Sequence, residues 1–451
     1  MQNQSKYDSF REQYKEFLYE GYEYSLKDGR FSARFNFILS PQIEFHPCFE
    51  IPARNFYNWD AIPKQMLDNL VFHIGMIELI SYWKIACPKK VIIKPYNLNE
   101  DQKNWWKKLY FNGLGEFFYV NEIKTSLDDF MEIECRDGEF CNNMVESPLL
   151  GEKSLVPVGG GKDSVVTLEM LKNRLPIIPM VINPRGATRE CVAAAGFEET
   201  QAAIVNRTLD PTMLRMNAEG YLNGHTPFSA LLAFYTILLG FATQSKYIAL
   251  SNESSANEPT VPDTEINHQY SKSVAFENDF RYYVSKYIDN NIQYFSFLRP
   301  LNELQIARQF SKAKEYRKVF KSCNAGSKTD SWCGRCPKCL FTWLAMSPFI
   351  SRKELTDIFG KDLLSDKELR PILDQLDGSV EVKPFECVGT VGEVRACINE
   401  ILQHDYNLKD TILEGIDKTD DTKVSEYIGQ YDKNNNLPEL FENILKEGLN
   451  A

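Results

Sequence analysis

The sequence predicts an α/β protein: a parallel-sheet core preceded by an α+β lobe, closed by a four-cysteine metal knot and followed by a mostly helical segment. Three observations predict it. From Ser154 onward, short apolar runs alternate with stretches of helical period, the pattern of a parallel sheet covered on both faces. A glycine-rich loop, "VGGGKDS" at residues 158–164, lies between one apolar run and the helix after it. Four cysteines crowd into "KSCNAGSKTDSWCGRCPKCLF".

The elements follow in order. Residues 1–150 form the N-terminal α+β lobe. It holds strands at 31–39 and 43–51, a helix from about 66 to 83, the strand "KKVIIKP" and a helical segment around Trp105 and Trp106. No motif in it declares chemistry, so it reads as a scaffold or a substrate-side lobe. Residues 151–350 carry the alternation. The strands "SLVPV", "PIIPMVI", "AAIVN", "KYIALS" and "QYFSFL" are interleaved with helices from Asp163, from Thr188, from Phe228 and at 274–290. Ligands of such sheets bind beyond the carboxyl ends of the strands, where the glycine loop falls. Residues 351–451 are acidic and mostly helical, with one sharper patch, "VEVKPFECVGTVGEVRACINEIL". The stretches "DKTDDTK" and "DKNNNLP" read as solvated loops.

Composition limits the function. A chain of 451 residues with 43% hydrophobic and 25% charged residues is long enough for two or three domains with real cores. The formal charge of -11 and a pI near 5.2 disfavour a general nucleic-acid binder, but leave room for a local pocket that takes a small anion. The polar start "MQNQSKYDSFREQYKEF" has no signal-peptide core, and the apolar stretch 228–243 is short for a bilayer and reads as a buried helix. Eleven cysteines, four of them clustered, fit reduced thiols plus a metal site rather than a disulfide framework, so the expected compartment is the cytoplasm, away from any membrane.

Glycines let backbone NH groups approach an anion, and the positive end of the following helix adds to the attraction. The loop is therefore expected to cradle phosphate. It is not a Walker loop, which would need glycine at Val156 and a hydroxyl residue at Asp163, nor a dinucleotide fingerprint, which would need glycine at Ser164. It resembles the SGGxDS signature of the PP-loop ATP pyrophosphatases, with Gly160, Gly161, Asp163 and Ser164 in register and Gly159 where that family has serine. The resemblance implies a fold of the adenine nucleotide alpha hydrolase type and cleavage of ATP to AMP and pyrophosphate. It also implies that the backbone at Gly159, Gly160 and Gly161 and the Ser164 side chain hold phosphates, that Lys162 adds charge and that Asp163 sits near Mg2+.

Cys323, Cys333, Cys336 and Cys339 form two overlapping Cys-x2-Cys hooks and one distant thiol. Four thiolates suit a structural Zn2+ first and an iron–sulfur cluster second. A similar array follows the loop domain of 7-cyano-7-deazaguanine synthases, which makes a ligase or amidotransferase on a small carboxylate the alternative reading. Because Gly159 replaces a signature serine, a nucleotide sensor that does not turn ATP over is a second.

A wider resemblance runs from the N-terminal lobe to about residue 400. "PVGGGKDSVVTLE", "NGHTPFSALLAF", "SNESSANEPT", "NHQYSKSVAFENDF", "WCGRCPKCLF" and "KPFECVGTVGEVRA" resemble successive motifs of the bacterial UDP-N-acetylmuramoyl-L-alanyl-L-glutamate epimerases, the MurL family. That family inverts the terminal L-glutamate of a cell-wall precursor at the expense of ATP. The resemblance implies a UDP-MurNAc-dipeptide as the small-molecule substrate and leaves the oligomeric state open. Inversion needs two proton carriers. The candidates are His225 in "NGHTP", His268 in "NHQYSKS", Glu253 in "SNESSANE" and the thiol of Cys387 in "KPFECVGT", whereas His46 in "IEFHPCFE" reads as structural. Arg185 and Arg189 after the second core strand, and Arg299 after the last, are candidates for anionic groups, with Arg185 placed in the nucleotide set.

Overall fold

The computed structural model describes residues 2–136, 138–140, 147–261, 264, 266–404, 407–417 and 422–450; residues 418–421 of "DKTDDTK" lie outside these. The fold is mixed α/β. Its strands are β1 (Glu16–Lys27), β2 (Arg30–Leu39), β3 (Ile43–Phe45), β4 (Cys48–Ile51), β5 (Lys90–Ile93), β6 (Tyr96–Asn97), β7 (Glu132–Cys135), β8 (Glu139–Phe140), β9 (Gly151–Pro157), β10 (Ile177–Ile182), β11 (Ala203–Thr208), β12 (Ser245–Leu250) and β13 (Gln293–Ser296). The chain forms two units. Unit 1 comprises Met1–Leu155, Ala203–Ile248 and Tyr270–Tyr294; unit 2 comprises Val156–Ala202, Ala249–Gln269 and Phe295–Ala451. The division falls inside β9, β12 and β13.

In unit 1 the strands follow the order β11-β4-β2-β1-β5-β7, with β3 also on β2. The β1–β2 hairpin turns through Asp28 and Gly29, both at positive φ (50° and 72°), the geometry of a two-residue loop whose twist matches the strands. Along β2 every second side chain points inward, so Phe31, Ala33, Phe35, Phe37 and Leu39 are buried. They face the Lys64–Trp83 helix, which is almost wholly buried, and on which Phe72 stacks against Tyr19 at 5.7 Å. A cation is needed in this core because Glu78 is 1% exposed, and Arg207 supplies it with two charge-assisted hydrogen bonds. The Phe228–Ala242 helix packs inside the same unit; no helix among the described residues is long and apolar enough to cross a membrane.

In unit 2 the strand ends follow the order β13-β12-β9-β10. Helices Lys162–Leu171 and Gly186–Ala194 follow β9 and β10. The Glu303–Lys312 helix starts at Asn302 with a capping box to Gln305 and packs on the Lys162–Leu171 helix. Pro337–Met346 packs on Glu303–Lys312 in turn, as well as on Arg370–Leu376 and Val391–Gln403. The C-terminal helix Glu439–Asn450 is tied down by Phe441 against Phe295 and by Arg174, which donates to the Ile444 carbonyl at 2.6 Å.

Gly75 marks the tightest approach in unit 1. A Cβ there would lie 1.9 Å from Tyr19 Oη and 2.8 Å from Phe35. Gly75→Ala is expected to destabilise the protein by about 1–3 kcal/mol through overpacking, read as a lower midpoint in urea at unchanged slope. An unchanged midpoint would mean that helix and sheet can move apart freely.

Candidate functional site

The glycine loop lies wholly in unit 2. Gly160 adopts φ +83°, and a Cβ on it would meet the backbone of Ala187 and Thr188 at 3.1 Å. Gly161 caps the Lys162–Leu171 helix without a side-chain cap, and a Cβ there would lie 2.6 Å from Ser322 Oγ. The Lys321 N–H donates to the Gly160 carbonyl at 2.8 Å, holding the loop from outside. Small residues, a helix start without a side-chain cap and a positive φ are the parts of an anion cradle. Ser164 sits on the first helical turn and donates to the Gly161 carbonyl at 3.0 Å.

Lys162 does not reach outward. The residue is 3% exposed, and its side chain pairs with the carboxylates of Asp163 and Glu303. Burial alone would lower its pKa, but Asp163, Glu303 and Glu253 overrule burial and hold it above the usual lysine value. Glu303 feels the same pocket differently. Burial, with the charges of Asp163, Glu253 and Glu393, opposes the attraction of Lys162 and raises the Glu303 pKa above the usual carboxyl value. Glu393 is also raised by burial; it accepts from the Glu303 N–H at 2.7 Å and from Thr390 N and Oγ1 at 2.7 and 2.9 Å. One ammonium therefore lies among three acids, Asp163, Glu303 and Glu253.

Glu253 is buried rather than on the surface, at 4% exposed. Arg299 is fully buried and donates to the Glu253 carbonyl at 2.6 Å, so it shapes the 251–257 turn. The structure joins two stretches singled out in the sequence: Lys383 bridges Glu258 and the Gly389 carbonyl, and Gln269 donates to the Val388 carbonyl at 3.5 Å. Through them "SNESSANEPT" and "KPFECVGT" lie side by side. Glu386, next to Cys387, is raised by burial against the pull of Lys338 and His268, which puts Glu386, Cys387 and His268 within one electrostatic neighbourhood. Cys387 and His268 are both half-buried, and the His268 N–H donates to Thr260 Oγ1 at 3.0 Å.

His225 belongs to unit 1, where its Nδ1 lies 3.3 Å from Glu116 Oε2. His46 bridges Asn36 and Glu44 at 2.9 and 3.2 Å, a structural arrangement. Arg185 follows β10, with its backbone N–H on Thr188 Oγ1, and Arg189 is paired with exposed Glu199 at 3.5 Å. The first two NH groups of the Gly186–Ala194 helix are bound by the carboxylate of Asp330, at 2.7 and 2.9 Å. Sequence reading passed over Glu303, Glu386, Glu393, Asp330 and Glu116. Only Glu393 carried a local signal, the Thr-x-x-Glu of a capping box at Thr390.

The four cysteines converge. Sulfur–sulfur distances are 3.7 Å for Cys323–Cys336, 3.8 Å for Cys333–Cys339 and 3.5 Å for Cys336–Cys339, and all four lie within 4.8 Å of one another. A tetrahedron with 2.3 Å zinc–sulfur bonds has edges of about 3.8 Å. An iron–sulfur cluster, with each thiolate on a separate iron, would spread them farther. The cluster can hold a metal, and its spacing fits one tetrahedral ion.

Two outcomes are expected. Gly160→Ala should destabilise the protein by roughly 1–2 kcal/mol, measured as a lower urea midpoint, because the side chain would both strain a left-handed residue and strike the Ala187 backbone. Metal analysis of the purified chain should give about one zinc per chain, and Cys336→Ser should lower both the metal content and the melting temperature. Iron with visible absorbance, or no metal, would remove the zinc assignment.

The family description "MurL N-terminal domain" matches residues 8–297, and "MurL C-terminal domain" matches residues 319–428. Among curated relatives, the UDP-N-acetyl-alpha-D-muramoyl-L-alanyl-L-glutamate epimerase of Xanthomonas oryzae pv. oryzae is 34% identical over 337 residues, 72% of each chain. The proteins of that name from Micromonospora sp. and Salinispora tropica are 35% and 36% identical. The former alignment covers 74% of each chain; the latter covers 71% of this chain and 70% of its relative. With both domain descriptions matched along its length, the chain belongs to the MurL family.

Proposed function

We propose that this protein epimerises the terminal L-glutamate of UDP-MurNAc-L-Ala-L-Glu to D-glutamate in the synthesis of peptidoglycan precursors, using ATP and releasing AMP and pyrophosphate. The observation that carries the reaction class is the agreement of three relatives, each matched over about seven-tenths of its length, on one epimerase name. The PP-loop reading of residues 159–164 supports the role of ATP, and the excess of acid over cation where Asp163, Glu303 and Glu253 surround Lys162 supports Mg2+ beside Asp163.

The chemistry supplies the reason for ATP. Removing the α proton beside an ionised carboxylate would place a second negative charge next to the first. Joining that carboxylate to AMP cancels its charge and lets the carbonyl take the electron pair of the broken C–H bond as an enolate. A proton returned to the opposite face gives the D configuration, and water releases the product and AMP. The substrate oxygen then stays with AMP. Gly159, Gly160, Gly161 and Ser164 would hold phosphates, Lys162 would anchor the loop, and Arg185 would approach the nucleotide. The proton carriers are drawn from His225, Glu253, His268 and Cys387. Bound zinc would serve structure at Cys323, Cys333, Cys336 and Cys339, not the reaction.

The test uses ATP, Mg2+ and the UDP-MurNAc-dipeptide in heavy water, with the glutamate carboxylate labelled with heavy oxygen. The expected products are AMP carrying the label and D-glutamate deuterated at the α carbon. Unlabelled AMP with deuterated D-glutamate would discard the adenylate route; ATP consumed only when ammonia is present would shift the reading to a ligase.

A further inference from the structure

Unit 1 holds a second cluster that the nucleotide chemistry does not use. His225 sits in the 223–227 turn, and that turn is fastened on several sides. Asn121 donates to the Asn223 carbonyl at 3.1 Å, and the Gly224 N–H donates to Asn223 Oδ1 at 2.8 Å. Gly224 adopts φ +156°, and a Cβ on it would lie 3.0 Å from the Phe117 ring. Pro227 packs so closely on Gly113 that a Cβ there would be 2.7 Å away. The turn is thus held against the Glu100–Gly113 and Gly115–Val120 helices, and the second of these carries Glu116.

Lys84 closes the arrangement. It is 6% exposed, at the end of the Lys64–Trp83 helix, and its ammonium donates to the Gly224 carbonyl, the residue just before His225. Burial pushes its pKa down to about 8, with Cys87 and Glu116 drawing it up and Arg207 pressing it down. A buried cation spent on one backbone carbonyl fixes that carbonyl, and through it the next side chain. Glu116 faces both groups, since its charge acts on Lys84 and its Oε2 touches His225 Nδ1.

A carboxylate beside Nδ1 settles the neutral imidazole as the Nδ1–H tautomer, which leaves the lone pair on Nε2, and it stabilises the imidazolium formed when Nε2 takes a proton. We propose that Glu116 is a positioning residue that makes His225 Nε2 a proton carrier on one face of the glutamyl α carbon, and that Lys84 holds the turn that presents it. The inference rests on the epimerase reading. In the step, the Cα–H bond breaks, an Nε2–H bond forms and the electron pair passes to the activated carbonyl. The opposite face is served by a separate carrier, so the proton on His225 need not return to the same carbon.

The full-length, metal-loaded chain is assayed with ATP, Mg2+ and the UDP-MurNAc-dipeptide in heavy water, for the wild type, Glu116→Gln and Glu116→Asp. Glu116→Gln is expected to slow α-deuterium incorporation by about 100-fold while the KM for ATP and the pyrophosphate released in the first turnover, which precede the proton step, stay within about threefold of wild type. Glu116→Asp should recover about a tenth of the wild-type rate. Incorporation in Glu116→Gln within threefold of wild type would overturn the proposal, as would a parallel loss of first-turnover pyrophosphate and deuterium, the mark of a merely structural residue. Imidazole 15N shifts of His225 in the unsubstituted protein give an answer that no folding defect can cloud. An Nδ1–H tautomer supports the proposal, and an Nε2–H tautomer overturns it. Wild-type protein that incorporates no deuterium would remove the epimerase reading itself and this proposal with it, an outcome visible in the wild-type reaction alone.

Discussion

The buried ammonium of Lys162 is the constraint on which unit 2 turns. A lysine at 3% exposure stays charged only because carboxylates surround it, and each of those is brought in by a different element: Asp163 by its own helix, Glu303 by the helix after β13, and Glu253 by the turn after β12. Glu393 reaches the group by accepting from the Glu303 backbone and not by touching the lysine. The ion pair therefore fixes the Lys162–Leu171 helix against the Glu303–Lys312 helix and sets the start of the former, where the glycine loop ends. Removing one partner would leave a buried charge uncompensated, which costs far more than the pair gains.

The four-cysteine cluster bears on the same loop from the other side. Cys323 follows directly on Lys321, whose N–H holds the Gly160 carbonyl, and on Ser322, whose hydroxyl fills the space beside Gly161. Asp330, between the first and second cysteines, binds the leading NH groups of the Gly186–Ala194 helix, which is the wall that Gly160 leans on. An ion gathering the four sulfurs would hold residues 321–330 in place, and with them both walls of the cradle. On the proposed reading, that would give a structural metal a reason to lie next to the glycine loop without taking part in the reaction.

The sequence was most legible where period and spacing repeat. The strands of the core, the buried helix at 228–242 and the four-cysteine knot were expected and are present, because alternation and Cys-x2-Cys spacing are local properties. The β1 strand was missed: "EFLYEGYEYSLK" follows a helix without a break in polarity, and its hairpin signal, Asp28-Gly29, was passed over. The 43–51 strand is interrupted, since β3 and β4 both pair with β2. Among candidate site residues, the glycine loop and the four cysteines stood out in the sequence because each pattern lies within a short stretch of chain. Glu303, Glu386 and Glu116 did not, because each matters through a partner far away in the chain, and a single carboxylate on a helix looks like any solvated one until the fold brings that partner to it.

The charge balance around Lys162 bears on how ATP could bind at all. A triphosphate entering the loop would bring several negative charges toward Asp163, Glu303, Glu253 and Glu393, against one ammonium already engaged. Burial raises the pKa of Glu303, yet its carboxylate is already committed to Lys162. The acids still outnumber the cation. On the proposed reading a divalent ion is thus a condition of nucleotide binding rather than an aid to the later chemistry, because only an added double charge reverses the sign of the field that the phosphates meet. The same crowding explains why lysine can be buried here without loss of charge: the acids that would repel the phosphates are the ones that hold its pKa up.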